Sequence, residues 1–356
     1  MSRTIVDSNI APGQAFKNRI INGDMRIDQR NAGGYSSITN SSLLYTLDMW
    51  AGLGQATDGI FRIQRLSASP PTGFTNYLNV SINTADASVG SGQAYTVEHR
   101  IEGYNIADFI FGSASAKTVT LSFWVRSSVT GTYGIGVLNG AFNRCYTPTY
   151  TINSANVWEY KTIVIPGDVT GTWATDNSLG MRLIFDIGSG STYEGTLNTW
   201  AAQSYFRTSA CTRLISTLNA TLDITGVQLE IGVAATPFEF HSIQNELILC
   251  QRYYEKNYDQ ATVPGATSVI SGIIYSRAIA GTHIQTISFK VTKRAPPTVA
   301  VYNGVTGSSG SWRDYSASTN LTATANDISD SACWIGIASA VAGNGTGGYY
   351  VAKSEM

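Results

Sequence analysis

Charge is scarce in this sequence, and neither sign is in excess. Among the 356 residues, 23 Lys and Arg stand against 24 Asp and Glu, so charged residues make up 13% of the chain. The sequence has no long basic run and no stripe of basic residues between aromatic ones. Proteins that bind nucleic acid need such clustered positive charge. We therefore expect no nucleic-acid partner.

Long apolar runs are also missing. No apolar stretch reaches the roughly 18 residues that a membrane-spanning helix needs. The first residues, MSRTIVDSNIAPGQAFKNR, have no apolar core of the kind that a signal peptide carries. We expect no membrane insertion and a protein that is made and folded in a cytosol.

Cysteine is rare and widely spaced. The four cysteines are Cys145, Cys211, Cys250 and Cys333, and no two of them form a C-x-x-C pair. Metal sites and redox-active disulfides usually show such close spacing. The sequence predicts four buried thiols rather than a metal or disulfide site.

Catalytic signatures are absent as well. The carboxylate pairs available to a glycan-cleaving enzyme are Glu98 and Glu102, Asp186 and Glu194, and Asp327 and Asp330. None lies in a recognisable motif, and no G-x-S-x-G elbow accompanies the isolated His99, His241 and His283. We expect solvated loop carboxylates and no catalysis, while an active site assembled between chains stays open.

What the sequence does contain is a pattern of short alternating strands. In TVTLSFWVR, Val119, Leu121, Phe123 and Val125 point one way and the residues between them point the other. MRLIFDI and WEYKTIVI repeat this alternation, and turns rich in Gly, Ser and Thr separate the stretches. No helical period intervenes, which predicts an antiparallel β-sandwich.

One strand changes its inward parity in the middle. Leu222 and Ile224 share one parity, whereas Val227 and Leu229 share the other, and the change falls at Gly226. A β-bulge at Gly226 would turn both sets of side chains towards the core.

A single helix is predicted after this strand. Pro237 should end the strand, and Ser242 can cap the helix that follows. Its apolar stripe consists of Ile243, Leu247, Cys250 and Tyr254. A helix this short needs a partner surface. Either its own sandwich or further copies of the chain around a three-fold axis would provide one.

Several motifs surround this helix. They are GVQLEIGVAATPFEF with ELILCQRYYEK, KNRIINGDMRIDQRNAG with YTLDMWAG, and the RAPPTV turn at Arg294 to Val299. These motifs resemble those of bacteriophage and prophage virion proteins, chiefly tail-fibre and other adhesion components. The resemblance implies a homotrimer in the virion, with other virion proteins of the tail, baseplate or capsid as partners.

A second resemblance concerns the first and last strands of the sandwich. Asn22, Gly23 and Asp24, with Trp50 and the strand from Asp223 to Glu230, are similar to jelly-roll carbohydrate-binding modules. This likeness implies a jelly-roll domain that binds a host cell-surface polysaccharide. It also nominates Asp24, Asp223 and Glu230 as ligands of a structural calcium ion. The sequence has no dense ligand loop, so we expect no metal and no other cofactor.

These features together predict an all-β protein in four parts. Residues 1–18 form an extended arm that attaches to the virion, and residues 19–240 form the jelly-roll β-sandwich. Residues 241–259 form the linking helix, whose apolar stripe is the expected oligomer interface. Residues 260–356 form a smaller C-terminal β-sandwich that faces the receptor.

Three groups of residues are candidates for glycan contact, because sugar binding needs ring faces beside hydrogen-bonding groups. The preferred group is Trp312, Arg313, Asp314 and Tyr315, in a Ser- and Gly-rich stretch typical of recognition loops. The other two are Trp124 beside Arg126 on an outer strand face, and Trp173 with Trp200 in loops. Contact with another chain is the alternative for the first two groups, and plugging of the sandwich end for the third.

The leading hypothesis is a virion adhesin, a trimeric tail fibre or spike that binds a host-surface glycan. One alternative is a capsid-decorating or baseplate protein that binds no receptor. Another is a glycan depolymerase, which release of reducing ends would reveal. The position of the protein in the particle separates the first two hypotheses.

Overall fold

The computed structural model describes residues 16–39, 43–56, 58–268, 271–279 and 281–356. The regular secondary structure of the described residues is almost entirely antiparallel β-strand, with one α-helix. The all-β expectation is therefore confirmed. Residues 1–15 of the predicted arm lie outside the described part, so the arm stays a prediction. No helix within the described ranges is long and apolar enough to cross a membrane.

The first domain is a sandwich of two antiparallel sheets. Its strands are β1 (Ser36–Ile38), β2 (Leu44–Leu47), β3 (Trp50–Gly54), β4 (Ile60–Leu66), β5 (Tyr77–Thr84), β6 (Tyr95–Glu102), β7 (Val119–Ser127), β8 (Gly131–Asn139), β9 (Cys145–Tyr146), β10 (Thr149–Ile152), β11 (Glu159–Ile165), β12 (Leu179–Asp186), β13 (Trp200–Ala201) and β14 (Thr221–Ile231). Short 3-10 helices cover Gly103–Asn105, Ala107–Phe109, Ser191–Tyr193 and Leu214–Ser216. One sheet has six strands in the order β1-β4-β5-β14-β7-β11. The other has the path β13-β9-β8-β12-β6-β3-β2, with β10 beside β8.

The core lies between the two sheets and follows the predicted alternation. Val119, Leu121, Phe123 and Val125 of β7 are all fully buried. The Phe123 ring meets the Phe185 ring of the facing sheet edge-on, with 5.3 Å between the ring centroids. Burying one side chain of this size is worth about 1.5–3 kcal/mol. Burial of the inward-pointing side chains, at every second residue of the strands, therefore stabilises the sandwich.

The predicted bulge lies in the longest strand of this domain, β14. The pairing of β14 with β7 shifts register between Thr225 and Gln228. Gly226, inside that shift, has a φ of +61°, which favours glycine. Leu222 and Val227, on opposite sides of the bulge, are both fully buried. The bulge prediction is confirmed.

The helix, α1, covers Ile243–Gln251 and begins where the sequence predicts. The Ser242 hydroxyl accepts the Asn245 backbone N–H at 3.2 Å, which caps the first turn. The helix ends earlier than the predicted range of 241–259. Tyr254 lies in the following strand, where it pairs with Lys353. Strand pairing with the end of the chain overrides the continuation of the apolar stripe.

The second domain is a smaller sheet that encloses its own core. Its strands are β15 (Tyr254–Lys256), β16 (Ile274–Arg277), β17 (Gly281–Ser288), β18 (Thr298–Tyr302), β19 (Ser311–Asp314), β20 (Thr319–Asn326), β21 (Ala332–Ala340) and β22 (Gly345–Lys353). The main path is β15-β22-β19-β20-β21-β17, and β16 and β18 also pair with β22. Trp312, Ile335 and Ile337 are fully buried inside this sheet.

The helix packs on its own sandwich. Cys250 and Tyr253 belong to the core of the first domain, and Leu247 packs against that core. Arg252 and Tyr253 both bind Glu102 of the sandwich, with the Arg252 Nη2 2.6 Å from Glu102 Oε1. Of the two surfaces that the sequence left open for the helix, its own sandwich is the one observed.

The predicted oligomer interface is wrong in two of its four residues. Cys250 is fully buried, and Tyr254 is buried beneath the Arg30 guanidinium, whose carbon lies 3.7 Å from the centroid of the Tyr254 ring. Neither side chain reaches another copy of the chain, because contacts within the chain already cover both. Ile243 is 54% exposed, and Leu247 is partly exposed.

Candidate functional site

The preferred glycan contact, Trp312, is buried. Its side chain has no exposed surface and lies in the core of the second domain, against Gly348. The stretch around it is strand β19 rather than a flexible loop, and Trp312 points inwards by strand alternation. The prediction that Trp312 contacts a ligand is therefore wrong.

The residues that follow Trp312 form a turn. The Asp314 carboxylate is buried and accepts the backbone N–H groups of Ser316 and Ala317, at 3.0 and 2.8 Å. Arg313 donates to Asn320 on the paired strand at 2.8 Å. Of the predicted group, only Arg313 and Tyr315 are partly exposed.

Trp173 and Trp200 fill the end of the sandwich. Their ring centroids are 5.7 Å apart, and the Phe111 ring packs edge-on against both. The Trp173 indole N–H donates to Asp168 at 3.1 Å, and that of Trp200 donates to the Pro166 carbonyl at 2.9 Å. The indole donors are thus satisfied within the chain, and the plugging alternative describes this pair.

Trp124 lies at an open cleft on the outer face of the six-stranded sheet. Strand pairing places it between Tyr160 of β11 and Thr225 of β14. The Trp124 and Tyr160 ring centroids are 5.3 Å apart, and Tyr160 is 45% exposed. The cleft has a volume of about 410 Å³, and Ser122 and Thr72 add hydroxyl groups to its lining. We refer to it as the Trp124 cleft.

Three phenylalanines form the opposite wall of the Trp124 cleft. Phe74 comes from the loop before β5, and Phe238 and Phe240 come from the segment between β14 and the helix. Their ring centroids lie 4.8–5.3 Å apart. Phe240 is 54% exposed. Aromatic faces and hydroxyl groups are therefore brought together at one opening.

The bulge in β14 makes room for this wall. A Cβ atom on Gly226 would lie 2.5 Å from Cζ of Phe74, closer than any real contact. The absence of a side chain at Gly226 is what lets Phe74 lie across the strand. The segment that carries Phe238 is anchored by Thr236, whose N–H and hydroxyl both donate to Glu230, at 2.8 and 2.7 Å.

The aromatic surface continues beyond the cleft through Arg126. Its guanidinium carbon lies 4.7 Å from the centroid of the Trp158 ring and 5.3 Å from that of Tyr77. Arg126 Nε donates to Asp223 at 2.8 Å, and Asn79 donates to the other carboxylate oxygen at 2.6 Å. Burial raises the pKa of Asp223, and these two hydrogen bonds oppose that shift. Arg126 is thus held in place at the edge of the aromatic surface.

The expectation of solvated loop carboxylates is wrong for three residues. Glu98, Glu102 and Asp186 are buried in strands and face cationic side chains. Glu98 binds Arg100 and Arg182, Glu102 binds Arg252, and Asp186 lies 3.6 Å from Arg207. Carboxylates held in this way serve as structural anions.

The three nominated calcium ligands are each engaged elsewhere. Asp24 binds Arg26, Asp223 binds Arg126, and Glu230 binds Thr236. Within the described ranges, no three His, Cys, Asp or Glu side chains come together in a way that could hold a metal ion. The four cysteines are buried as free thiols, as the sequence predicts.

The sequence pattern indicates Trp124 as a candidate contact, but the other walls of its cleft were not predicted. Tyr160 lies on the outward parity of WEYKTIVI, and Phe238 and Phe240 alternate on either side of Glu239 just after Pro237. An exposed aromatic at the outward parity of an edge strand is a usable signal. The contribution of Phe74 depends on the bulge and could not be read from its own neighbours.

No protein-family model and no curated protein sequence matches this chain. Among solved structures, it is similar to the enzymatically active domain of tailspike protein 4 from bacteriophage CBA120, with 12% identity and a TM-score of 0.30, over 60% of this chain and 21% of that one. It is similar to a CBM4 structure with 13% identity and a TM-score of 0.29, over 60% of this chain and 99% of that one. A putative sugar binding protein from Bacteroides thetaiotaomicron shows 10% identity and a TM-score of 0.33, over 61% of this chain and 100% of that one. At this distance the likenesses carry no argument about function.

Proposed function

We propose that this chain is a structural protein of a bacteriophage particle, a homotrimeric tail fibre or spike that binds a host-surface glycan at the Trp124 cleft. The virion assignment is supported by the motifs around the helix and at the start of the sandwich. In this proposal residues 1–17 attach the chain to the other virion proteins, whereas Asn18 is buried against Val227 of the sandwich. Partners in the particle and a glycan on the host are both required by such a role.

The observation that carries the glycan assignment is the composition of the Trp124 cleft. Sugar rings offer apolar C–H faces that stack on aromatic rings, and hydroxyl groups that need polar partners. Trp124 and Tyr160 contribute aromatic rings on the strands, and Thr72 and the nearly buried Ser122 are hydroxyl residues of the same lining. The cleft is open to solvent, whereas the aromatic groups at Trp312 and at Trp173 are enclosed by the chain itself.

Trimeric assembly suits such a site. A single shallow site on a sheet binds a glycan weakly, and three linked sites raise the overall affinity through effective concentration. The Trp124 cleft lies on the sandwich, so the sandwich takes the receptor-binding role that the sequence suggested for the C-terminal domain.

The test is binding of the full-length chain to an array of bacterial surface polysaccharides. We expect at least one polysaccharide to bind, and the Trp124→Ala variant to lose most of that signal, since alanine substitution of a stacking aromatic typically costs well over a factor of ten in affinity at a hot spot. The matched control is Tyr104→Ala, which removes a 61% exposed ring outside the cleft. Equal binding by the wild type and the Trp124→Ala variant would contradict the assignment of the cleft. Absence of binding to every polysaccharide would favour a capsid or baseplate component instead.

A further inference from the structure

A second cleft lies on the other sheet of the sandwich. It opens on the outer face of the eight-stranded sheet and has a volume of about 200 Å³. It shares no lining residue with the Trp124 cleft. This volume lies below the roughly 300–1,000 Å³ that is usual for drug-sized ligands, so a ligand here would be small. We refer to it as the Thr96 cleft.

The Thr96 cleft contains a polar atom that lacks a partner. Thr96 is 1% exposed, and its hydroxyl has no hydrogen-bond partner among the residues that the structure describes. Thr96 lies on β6 beside Asp186 of β12, with its side chain in the cleft lining. Buried hydroxyl groups in native proteins are nearly always paired. An unpaired hydroxyl in a cleft lining can pair with a ligand group.

The cleft also contains a positioned cation, Arg182. Its Nε and Nη2 donate to the Glu98 carboxylate at 3.0 and 3.1 Å, and its guanidinium carbon lies 4.3 Å from the centroid of the Phe142 ring. These two bonds leave Nη1 as the donor that Glu98 does not engage. Glu98 is shared with Arg100, which also donates to the Met356 carbonyl. One buried carboxylate thus faces two guanidinium groups, and Arg182 keeps a donor that can bind a further anion.

Three aromatic rings complete the lining. Phe142 stacks with Arg182, and Tyr193 stacks on Phe206 with 4.6 Å between the ring centroids. The Tyr193 hydroxyl donates to the Gln55 side chain at 3.1 Å, which fixes the ring at the mouth of the cleft. The lining thus combines apolar ring faces, an unpaired hydroxyl and a cation within a small volume.

We propose that the Thr96 cleft binds a single acidic sugar residue, a pyranose ring that carries a carboxylate. The carboxylate pairs with Arg182, one ring hydroxyl pairs with the Thr96 hydroxyl, and an apolar ring face packs on Phe142 and Tyr193. The assignment goes beyond the proposed function, because it names the sugar class and a second face of the sandwich. It uses no residue of the Trp124 cleft, so either assignment can fail without the other.

The test measures the binding of monosaccharides to the full-length chain by NMR chemical-shift titration or calorimetry. D-galacturonate and D-glucuronate are the probes, D-galactose tests the need for the carboxylate, and acetate tests the need for the ring. We expect at least one of the two acidic sugars to bind. Galactose and acetate should each bind at least about tenfold more weakly, because galactose lacks the charge-assisted contact and acetate lacks the ring contact. Binding of galactose or acetate as tight as that of the acidic sugars would overturn the proposal, as would absence of binding by both acids.

The Thr96→Val variant separates a binding role from a structural one. Valine has the shape of threonine without the hydroxyl, and the hydroxyl has no partner in the described chain. The unfolding midpoint should therefore not fall, while the affinity for the acidic sugar falls roughly threefold to tenfold, as expected for one hydrogen bond. Thr162→Val, at an exposed position of β11, is the matched control and should change neither quantity. Unchanged affinity in Thr96→Val would overturn the assignment of that hydroxyl, and unchanged affinity in Arg182→Gln would overturn the anionic class.

Discussion

At the scale of single residues, strand parity decides whether an aromatic side chain reaches solvent. Trp124 and Trp312 are both strand residues, but Trp124 lies on the outer parity of β7 and Trp312 on the inner parity of β19. The alternation of TVTLSFWVR makes the first visible in the sequence. The Ser- and Gly-rich surroundings of Trp312 resemble a loop, and only strand pairing with β20 and β22 shows which way its ring points.

Gly226 is the residue on which the shape of the Trp124 cleft depends most. We expect Gly226→Ala to lower the free energy of unfolding by about 1–3 kcal/mol, because the new methyl group meets Phe74 and the residue has a positive φ. Chemical denaturation measures this change. Gly310→Ala is the matched control, since Gly310 has a φ of +67° but no atom within 4 Å of an added Cβ. If both variants lose the same stability, backbone strain alone is responsible and the Phe74 contact contributes nothing.

His99 should make stability depend on pH. It is fully buried between the sheets, its Nε2 lies 3.0 Å from the Ile21 carbonyl oxygen, and desolvation by burial lowers its pKa to about 4. The unfolded chain takes up the proton near pH 6.5, so stability falls as the pH drops from about 6.5 to about 4, by about 3 kcal/mol in total. Above pH 6.5 this contribution is fully present.

Denaturation of the His99→Gln variant tests the origin of this dependence. The variant removes the titrating ring, so its loss of stability between pH 6.5 and pH 4 should be smaller than that of the wild type. His283→Gln serves as a control histidine in the second domain. If the stability of His99→Gln falls with pH as steeply as that of the wild type, the pH dependence comes from other groups.

At the scale of elements, local chemistry could be predicted from the sequence and long-range pairing could not. The bulge at Gly226 and the cap at Ser242 depend on a few adjacent residues, and both are confirmed. The end of the helix depends on β15 pairing with β22, about a hundred residues away in the chain. The plug formed by Trp173 and Trp200 depends equally on distant segments that meet at the end of the sandwich.

The exposed side of the helix is available for a contact between copies of the chain. Ile243 and Ile248 are 54% and 43% exposed, whereas the predicted Cys250 is enclosed. If the proposed trimer forms through this helix, Ile243→Asp with Ile248→Asp should dissociate it in light scattering while the monomer stays folded, because charges replace apolar contacts on exposed positions. Ile279→Asp, at a 74% exposed position in the second domain, is the control. A double variant that keeps the mass of the wild-type oligomer would exclude this helix as the contact.

At the scale of the whole molecule, the two β domains are joined by more than the helix. Arg294 exchanges hydrogen bonds with Asn177, and Arg30 binds Glu355 near the end of the chain. The all-β class was predictable from periodicity and turn composition. The placement of both clefts was not, because each cleft is lined by strands and loops that are far apart in the sequence.

We propose that this chain acts as an adhesin through the Trp124 cleft. The most direct measurement is the binding of labelled full-length protein to intact host bacteria, in competition with adsorption of the phage. We expect saturable binding that blocks adsorption, and loss of both effects in Trp124→Ala but not in Tyr104→Ala. A folded, assembled protein that neither binds the cells nor slows adsorption would exclude the adhesin role and favour a structural role in the particle.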